Sequence, residues 1–262
     1  MNLPNIKALI LDMDGVLWRD SSPIGDLPAI FARICECGLK VALATNNATR
    51  TVHEHLEKIG GFGVRLEPWQ IISSAAAAAN VLSKNFPNGG AVFIVGENGI
   101  QRALEERGFT PIIDPDDETR PVAVVGGIDR AITYQKLRRA TLHIRAGIPF
   151  YGTNPDKSFP TPEGLIPGAG AILASIEAAT DVKPIIIGKP EPAMMYMALE
   201  KLGTTPEETL VVGDRLETDI AAGQAAGCKT ALVLSGVSTR EQAEKWIPAP
   251  DFIIDDLSTL LQ

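Results

Sequence analysis

Four short segments carry residue types that could handle a phosphate group. Asp12-Met13-Asp14-Gly15 follows the apolar run Lys7–Leu11. Two carboxylates two positions apart converge on one ligand if the chain turns just there, and Gly15 permits a tight turn. Alone, the pattern reads equally well as a strand and a solvated turn. Thr45-Asn46-Asn47 follows Leu39–Ala44, and the Thr45 hydroxyl and Asn46 backbone N–H suit phosphoryl oxygens. Lys189, in Gly188-Lys189-Pro190, supplies a point positive charge, and Asp214 and Asp219 add carboxylates after Leu210–Val212. Such a group of carboxylates suits a hard cation that keeps several waters, here Mg2+. Without a metal and Lys189 the carboxylates would repel one another or take up protons.

These polar residues need elements to position them. Lys7–Leu11, Leu39–Ala44, Ile185–Ile187, Leu210–Val212 and Thr230–Leu234 are short apolar runs that stop at turn or polar residues and lead into helical patterns. Buried parallel strands read this way, so the fold class is α/β with an open, Rossmann-like parallel sheet. In such sheets ligands gather beyond the carboxyl ends of the strands, where the polar residues fall. A second strand–helix series contains Ala91–Val95, a helix near Gly99–Gly108, Val122–Val125, a helix near Tyr134–Gly147, and Pro149–Tyr151. The interval from Thr45 to Lys189 far exceeds one crossover. It predicts an inserted α/β domain over 82–180 within a discontinuous core of 1–81 and 181–262, with Pro87–Gly90 and Asp181–Pro184 at or near the hinges.

Composition narrows the function classes. Hydrophobic residues make up 45% and charged residues 21%, which predicts a sizeable core. A net charge of -8 disfavours nucleic-acid and anionic-membrane partners, and requires any phosphate site to be locally positive. Three cysteines, Cys35, Cys37 and Cys228, argue against a disulfide framework and suit a reducing cytoplasm, and the N-terminus offers no export signal. The alanine-rich stretch around Ile71–Ser83 is too short for a membrane span and reads as a packed helix.

Taken in order, Leu11–Arg19, Thr45-Asn46-Asn47, Gly188-Lys189-Pro190 and Gly213–Ile220 make the chain resemble the haloacid dehalogenase superfamily, class IIA or NagD-like phosphatases. The resemblance spans nearly the whole chain. It implies a small-molecule phosphatase with Asp12 as nucleophile, forming an aspartyl-phosphate, and Asp14 as acid and base. Magnesium would be held by the Asp12 carboxylate, the Asp14 backbone carbonyl and the Asp214 carboxylate. Lys189 would balance charge, and Asp219 would orient Lys189 or a metal-bound water. Thr45, Asn46, Asn47 and Lys189 would bind the phosphate. The insertion would be a cap, and a homodimer through it is an expectation of the same origin. Gly152-Thr153-Asn154-Pro155-Asp156 is either ordinary turn chemistry or, as in the family, a cap segment whose Asn154 and Asp156 contact substrate.

Other residues take plainer readings. His53 and His55 do not form a zinc motif and read as solvated surface histidines, and His143 reads as helix packing. Gly96-Glu97-Asn98-Gly99 lacks a nucleotide-loop pattern. Trp18 could floor a pocket or belong to the core or a cap hinge. Pro167-Gly168-Ala169-Gly170 reads as the opening of a helix. A dehalogenase would not need the acid at position 14. A phosphomutase keeps both acids but carries its cap between the first two motifs, where this chain has too few residues. A phosphoacceptor or binding module would lack the inserted domain and the second Asp.

Overall fold

The computed structural model describes residues 5–161 and 163–260, so the outermost residues of the expected core lie outside it. Its contacts divide the chain into two compact units. The first takes the chain through Thr45, then Val52–Ile72, then everything from Lys189 onward. The second takes Asn46–Thr51 and Ser73–Gly188. These limits differ from 82 and 180. Helix Ser74–Asn85 packs on helix Asn98–Glu105, and strand Ile185–Ile186 pairs with Phe150–Gly152, so both join the second unit. The turns at Pro87–Gly90 and Asp181–Pro184 therefore lie within that unit.

The first unit is built on a six-stranded sheet. Its order is Phe252–Ile254, Lys229–Val233, Thr209–Gly213, Ala8–Leu11, Lys40–Thr45 and Ile71–Ser73. Ala8–Leu11 pairs in parallel with Thr209–Gly213 on one side and with Lys40–Thr45 on the other. The chain winds outward from it first to one edge and then to the other, which makes its carboxyl end the switch point of the sheet. All four residues of Ala8–Leu11 are buried, as a strand covered on both faces requires. Helix Leu27–Glu36 shows how the flanking layer forms. The Asp26 side chain accepts the Ala29 N–H at 3.1 Å, Pro28 occupies the first turn, and Leu27, Ile30 and Ile34 turn one apolar face inward. The core joins Leu9, Leu11, Leu43, Ile59, Val212, Val233 and Leu257.

The second unit has its own five-stranded parallel sheet, in the order Ile185–Ile186, Phe150–Gly152, Ala123–Gly126, Gly90–Val95 and Phe109–Ile112. Its core joins Phe93, Val124, Ile144, Phe150, Leu173 and Ile176. Ser73 and Thr133 cap helices Ser74–Asn85 and Tyr134–Arg145 through their hydroxyls. Gly168 precedes helix Ala169–Thr180, where the Pro-Gly-Ala-Gly reading placed a helix start. Strand Phe109–Ile112 and a hairpin escaped the sequence reading. Ser158–Thr161 pairs antiparallel with Gly164–Pro167, despite a proline in each strand. A lone two-stranded ribbon tolerates prolines because each strand has an unpaired edge. No helix among the described residues is long and apolar enough to cross a membrane.

Leu43 is fully buried in the strand beside the central one. Leu43→Ala is expected to cost about 2–5 kcal/mol of unfolding free energy, measured as a lowered denaturation midpoint in urea.

Candidate active site

Asp12 continues the central strand by one residue, its N–H donating to the Val212 carbonyl at 2.9 Å. The chain then turns. Leu17 and Trp18 donate backbone N–H groups to Met13 O at 2.9 and 3.3 Å, and Gly15 donates to Trp18 O at 2.8 Å. Gly15 adopts φ +89°, a conformation that disfavours a side chain. The turn gives the two acids different surroundings. The Asp12 side chain is 12% exposed and that of Asp14 64%. Asp14 Oδ1 accepts the Trp18 indole N–H at 2.8 Å, and the Lys58 ammonium lies 3.8 Å from the same oxygen.

Lys189 organises the other acids. Its Nζ lies 2.5 Å from Asp12 Oδ1, 2.6 Å from Asp219 Oδ1 and 3.0 Å from the Ala44 carbonyl oxygen. An ammonium carries three donors, and these acceptors lie within reach of them. Asp219 is engaged on both oxygens, since Oδ2 accepts the Arg215 N–H at 3.1 Å. Asp214 Oδ2 accepts the Val237 N–H at 2.8 Å, and its carbonyl accepts Ser238 N–H at 2.9 Å. One carboxylate oxygen from each of Asp12, Asp214 and Asp219 lies within 4.8 Å of the others. The Asp14 carboxylate is not one of this set.

Burial and crowding set the charges. Burial raises Asp12 well above the ordinary carboxylate range, with Lys189 opposing and Asp219 and Asp214 adding to the rise. Burial, then the charge of Asp219, pushes Asp214 up to about 6, against the Val237 N–H. For Lys189 burial alone would favour the neutral amine, but the charges of Asp12 and Asp219 overcome it and raise the pKa. Lys189 therefore remains an ammonium, and three carboxylates share one positive charge.

That imbalance fits a divalent cation. The donors are hard oxygens, as magnesium-type ions require. The backbone also closes tightly around one of them. A Cβ on Gly15 would lie 2.4 Å from Asp214 Oδ2, and one on Gly236 would lie 2.0 Å from it. The two glycines thus form a cradle that any side chain would fill.

Thr45 ends its strand buried, at 3% exposure. Within the second unit, Asn46 sits in a hydrogen-bond network of its own. Its carbonyl accepts from Ser74 Oγ and Asn154 Nδ2, each at 2.8 Å, and its Nδ2 donates to Asp156 Oδ2 at 3.2 Å. Asn154 Oδ1 accepts the Asp156 N–H at 3.1 Å. Asn154 thus holds the Asn46 backbone, and Asp156 holds its side chain. Asn47 Oδ1 accepts from Thr49 N–H and Oγ1 at 3.0 and 2.8 Å, which makes its side chain a turn former.

Two plainer readings change or gain detail. His55 is buried, not solvated, because it shares the inward side of helix Val52–Gly61 with Ile59; His53 is exposed beside Glu57. Gly96–Gly99 opens a helix whose Glu97 binds Arg130 at 2.8 Å, and Gly99 packs on the Ala48 and Arg50 carbonyls, where a Cβ would lie 2.4 Å from either. The contributions of Lys58, the Ala44 carbonyl and the Val237 N–H were not legible in the sequence. Backbone groups carry no residue-type signal, and Lys58 lies in a helix with no motif.

The raised pKa of Asp214 has a consequence for stability. The folded chain holds this proton more tightly than the unfolded chain does, so the group's stabilisation is complete below about pH 4 and is lost as pH rises through about 6. A cation held by the ionised carboxylates opposes that loss. Mg2+ is expected to raise Tm more at pH 8 than at pH 5; an equal shift at both would remove Asp214 from the cation site.

Two family models match the chain, haloacid dehalogenase-like hydrolase over residues 9–110 and HAD-hydrolase-like over residues 186–260. The first match contains Asp12, Asp14 and Thr45; the second contains Lys189, Asp214 and Asp219. An acid sugar phosphatase of Staphylococcus aureus (strain USA300) is 36% identical over 252 residues, 96% of this chain and 95% of that protein. A p-nitrophenyl phosphatase structure from Archaeoglobus fulgidus superposes with a TM-score of 0.90 at 33% identity, covering 98% of this chain and 99% of that one. NagD from E. coli K-12 superposes with a TM-score of 0.87 at 33% identity, covering 97% of each chain. Identity of this extent, over a parallel sheet with the acids at its switch point, shows that the chain belongs to the haloacid dehalogenase-like hydrolases and is a NagD-like phosphatase.

Proposed function

We propose that this phosphatase hydrolyses a small phosphate monoester through an aspartyl-phosphate on Asp12, with Mg2+ as its cation. The observation that carries this reading is the Lys189 ammonium bound between Asp12 and Asp219, with Asp214 in the same group. A carboxylate that must attack a phosphate dianion needs nearby positive charge, both to remain ionised and to approach the substrate.

In the first step an Asp12 oxygen attacks phosphorus, the bond from phosphorus to the ester oxygen breaks, and Asp14 gives a proton to that oxygen as the alcohol leaves. In the second, Asp14 takes a proton from water, the water oxygen attacks phosphorus, and the bond to Asp12 breaks to release phosphate. Dividing the reaction this way replaces one difficult displacement by two easier ones. Lys189 stabilises charge on Asp12 and the phosphoryl group, and Asp219 fixes Lys189 in place. Thr45 offers its hydroxyl to a phosphoryl oxygen. The Asp12 and Asp214 carboxylates and the Asp14 carbonyl would hold the cation, and Asp219 would act through Lys189. When bound, the cation neutralises the crowded carboxylates and withdraws charge from the phosphoryl oxygens.

The relatives named as acid sugar phosphatase and p-nitrophenyl phosphatase support a small-molecule ester, and the first supports a sugar phosphate. Asp12→Asn is expected to abolish Mg2+-dependent phosphate release from sugar phosphates and nitrophenyl phosphate while leaving Tm within a few degrees. Near-native release by non-deamidated protein would overturn the assignment.

The network around Asn46 yields a separate expectation. Because Asn154 bonds to the backbone of Asn46, Asn154→Ala should lower kcat/KM by one common factor across a panel of phosphate esters and should lower Tm. Losing such a buried bond costs about 1–3 kcal/mol. A changed ranking of substrates would instead make Asn154 a substrate contact.

A further inference from the structure

Asp14 differs from Asp12, Asp214 and Asp219 because its side chain is mostly exposed, at 64%. A group that must deliver a proton to a particular oxygen needs a defined orientation, and solvent provides none. The structure supplies two partners. Trp18 Nε1–H donates to Asp14 Oδ1 at 2.8 Å, and Lys58 Nζ lies 3.8 Å from the same oxygen. Trp18 is itself 1% exposed and packs against the Phe62 ring with centroids 5.6 Å apart. The Lys58 ammonium lies 4.3 Å from the centre of the indole. The exposed carboxylate is thus tied to a side chain that the core holds still.

We infer that Trp18 and Lys58 are positioning residues that assign different tasks to the two oxygens of Asp14. An indole N–H and an ammonium are donors only. The indole donates to Oδ1 and the ammonium charge faces the same oxygen, so Oδ1 is held as an acceptor. The mobile proton is left to Oδ2. In the first step Oδ2–H gives its proton to the ester oxygen as the bond from phosphorus breaks; in the second, Oδ2 takes a proton from the attacking water. The Trp18 bond persists through both, so the carboxyl group need not reorient between its two roles. The cation above the indole face adds a contact of the cation–π kind and draws electron density from the ring, which strengthens its N–H as a donor. A surface ion pair alone would do little here. What gives this arrangement its effect is the rigid anchorage of Trp18.

This inference rests on the proposed acid role of Asp14, and the test separates the two. The quantity to measure is kcat/KM with Mg2+ for an alkyl phosphate such as glycerol phosphate and for nitrophenyl phosphate. It reports the steps through leaving-group departure and is insensitive to a slow second step. Alkoxides need the acid, whereas nitrophenolate leaves with little help. General acid help is typically worth about 10²–10⁴-fold, and a misplacement of about 1 Å can cost about 10²-fold. Asp14→Asn should therefore lower the alkyl ester far more than the aryl ester. Trp18→Phe, which keeps a ring but removes the N–H, should lower the alkyl ester by about tenfold, with the aryl ester changed by less than about threefold. Lys58→Met should show the same asymmetry in smaller measure, and Lys58→Arg should restore it. If Trp18→Phe fails to fold, the Lys58 pair decides the outcome alone. Equal losses on both esters in the Trp18 and Lys58 variants, beside an asymmetric Asp14→Asn, would overturn the positioning role. A symmetric Asp14→Asn would overturn the acid role itself.

Discussion

The ammonium of Lys189 makes the rest of the first unit's centre feasible. Three carboxylates with oxygens within 4.8 Å of one another repel strongly when buried. Lys189 binds two of them and the Ala44 carbonyl, and it is 3% exposed, so water weakens the attraction little. An isolated buried ammonium would be costly and would tend to lose its proton. Here each partner sustains the other's charge. The compensation is incomplete: burial first, and then the charge of Asp219, raises the pKa of Asp214, and the residual negative charge fits a divalent cation.

Holding these groups together is a matter of backbone geometry. Ala8–Leu11 and Thr209–Gly213 are adjacent parallel strands, so their carboxyl ends deliver Asp12 and Asp214 side by side. Residues far apart in sequence meet because the chain winds away from the central strand in both directions. Close approach then depends on residues without side chains. Gly15 and Gly236 let the chain pass over the Asp214 carboxylate, and Gly213 lies where a Cβ would come within 2.1 Å of the Asp219 Cβ. The second unit solves a comparable problem with hydrogen bonds. Ser74, Asn154 and Asp156 converge on Asn46 and hold the start of the Asn46–Thr51 segment.

The two acids of the first motif show how local structure creates chemical difference. Asp12 stays on the ladder of the sheet and is buried against Lys189. Asp14 passes the turn, emerges toward solvent and meets an indole N–H. A nucleophile benefits from fixed charge around it, and an acid–base group benefits from access and a single orientation. Left-handed Gly15 follows Asp14 and completes the turn that carries it away from the sheet.

The sequence by itself determined the α/β class, the parallel sheet and the interrupted chain. Continuous β-branched runs and helical periodicity are local signals, and local signals survive without a tertiary context. It also singled out Asp12, Asp14, Thr45, Lys189, Asp214 and Asp219, because acids, a lysine and a threonine at strand ends are unusual where apolar runs stop. Only the tertiary structure decided that Asp219 is engaged on both oxygens, that Asn154 and Asp156 turn to Asn46, and that His55 is buried. It alone revealed Lys58 beside Asp14, the donors from Ser235–Ser238 around Asp214 and Gly15, and the hairpin of Ser158–Thr161 with Gly164–Pro167. The unit limits moved from 82 and 180 to 73 and 188 for the same reason. Partner choice, burial and packing allegiance depend on which distant segments arrive beside a residue. No residue type or spacing encodes that arrival until the chain has closed on itself.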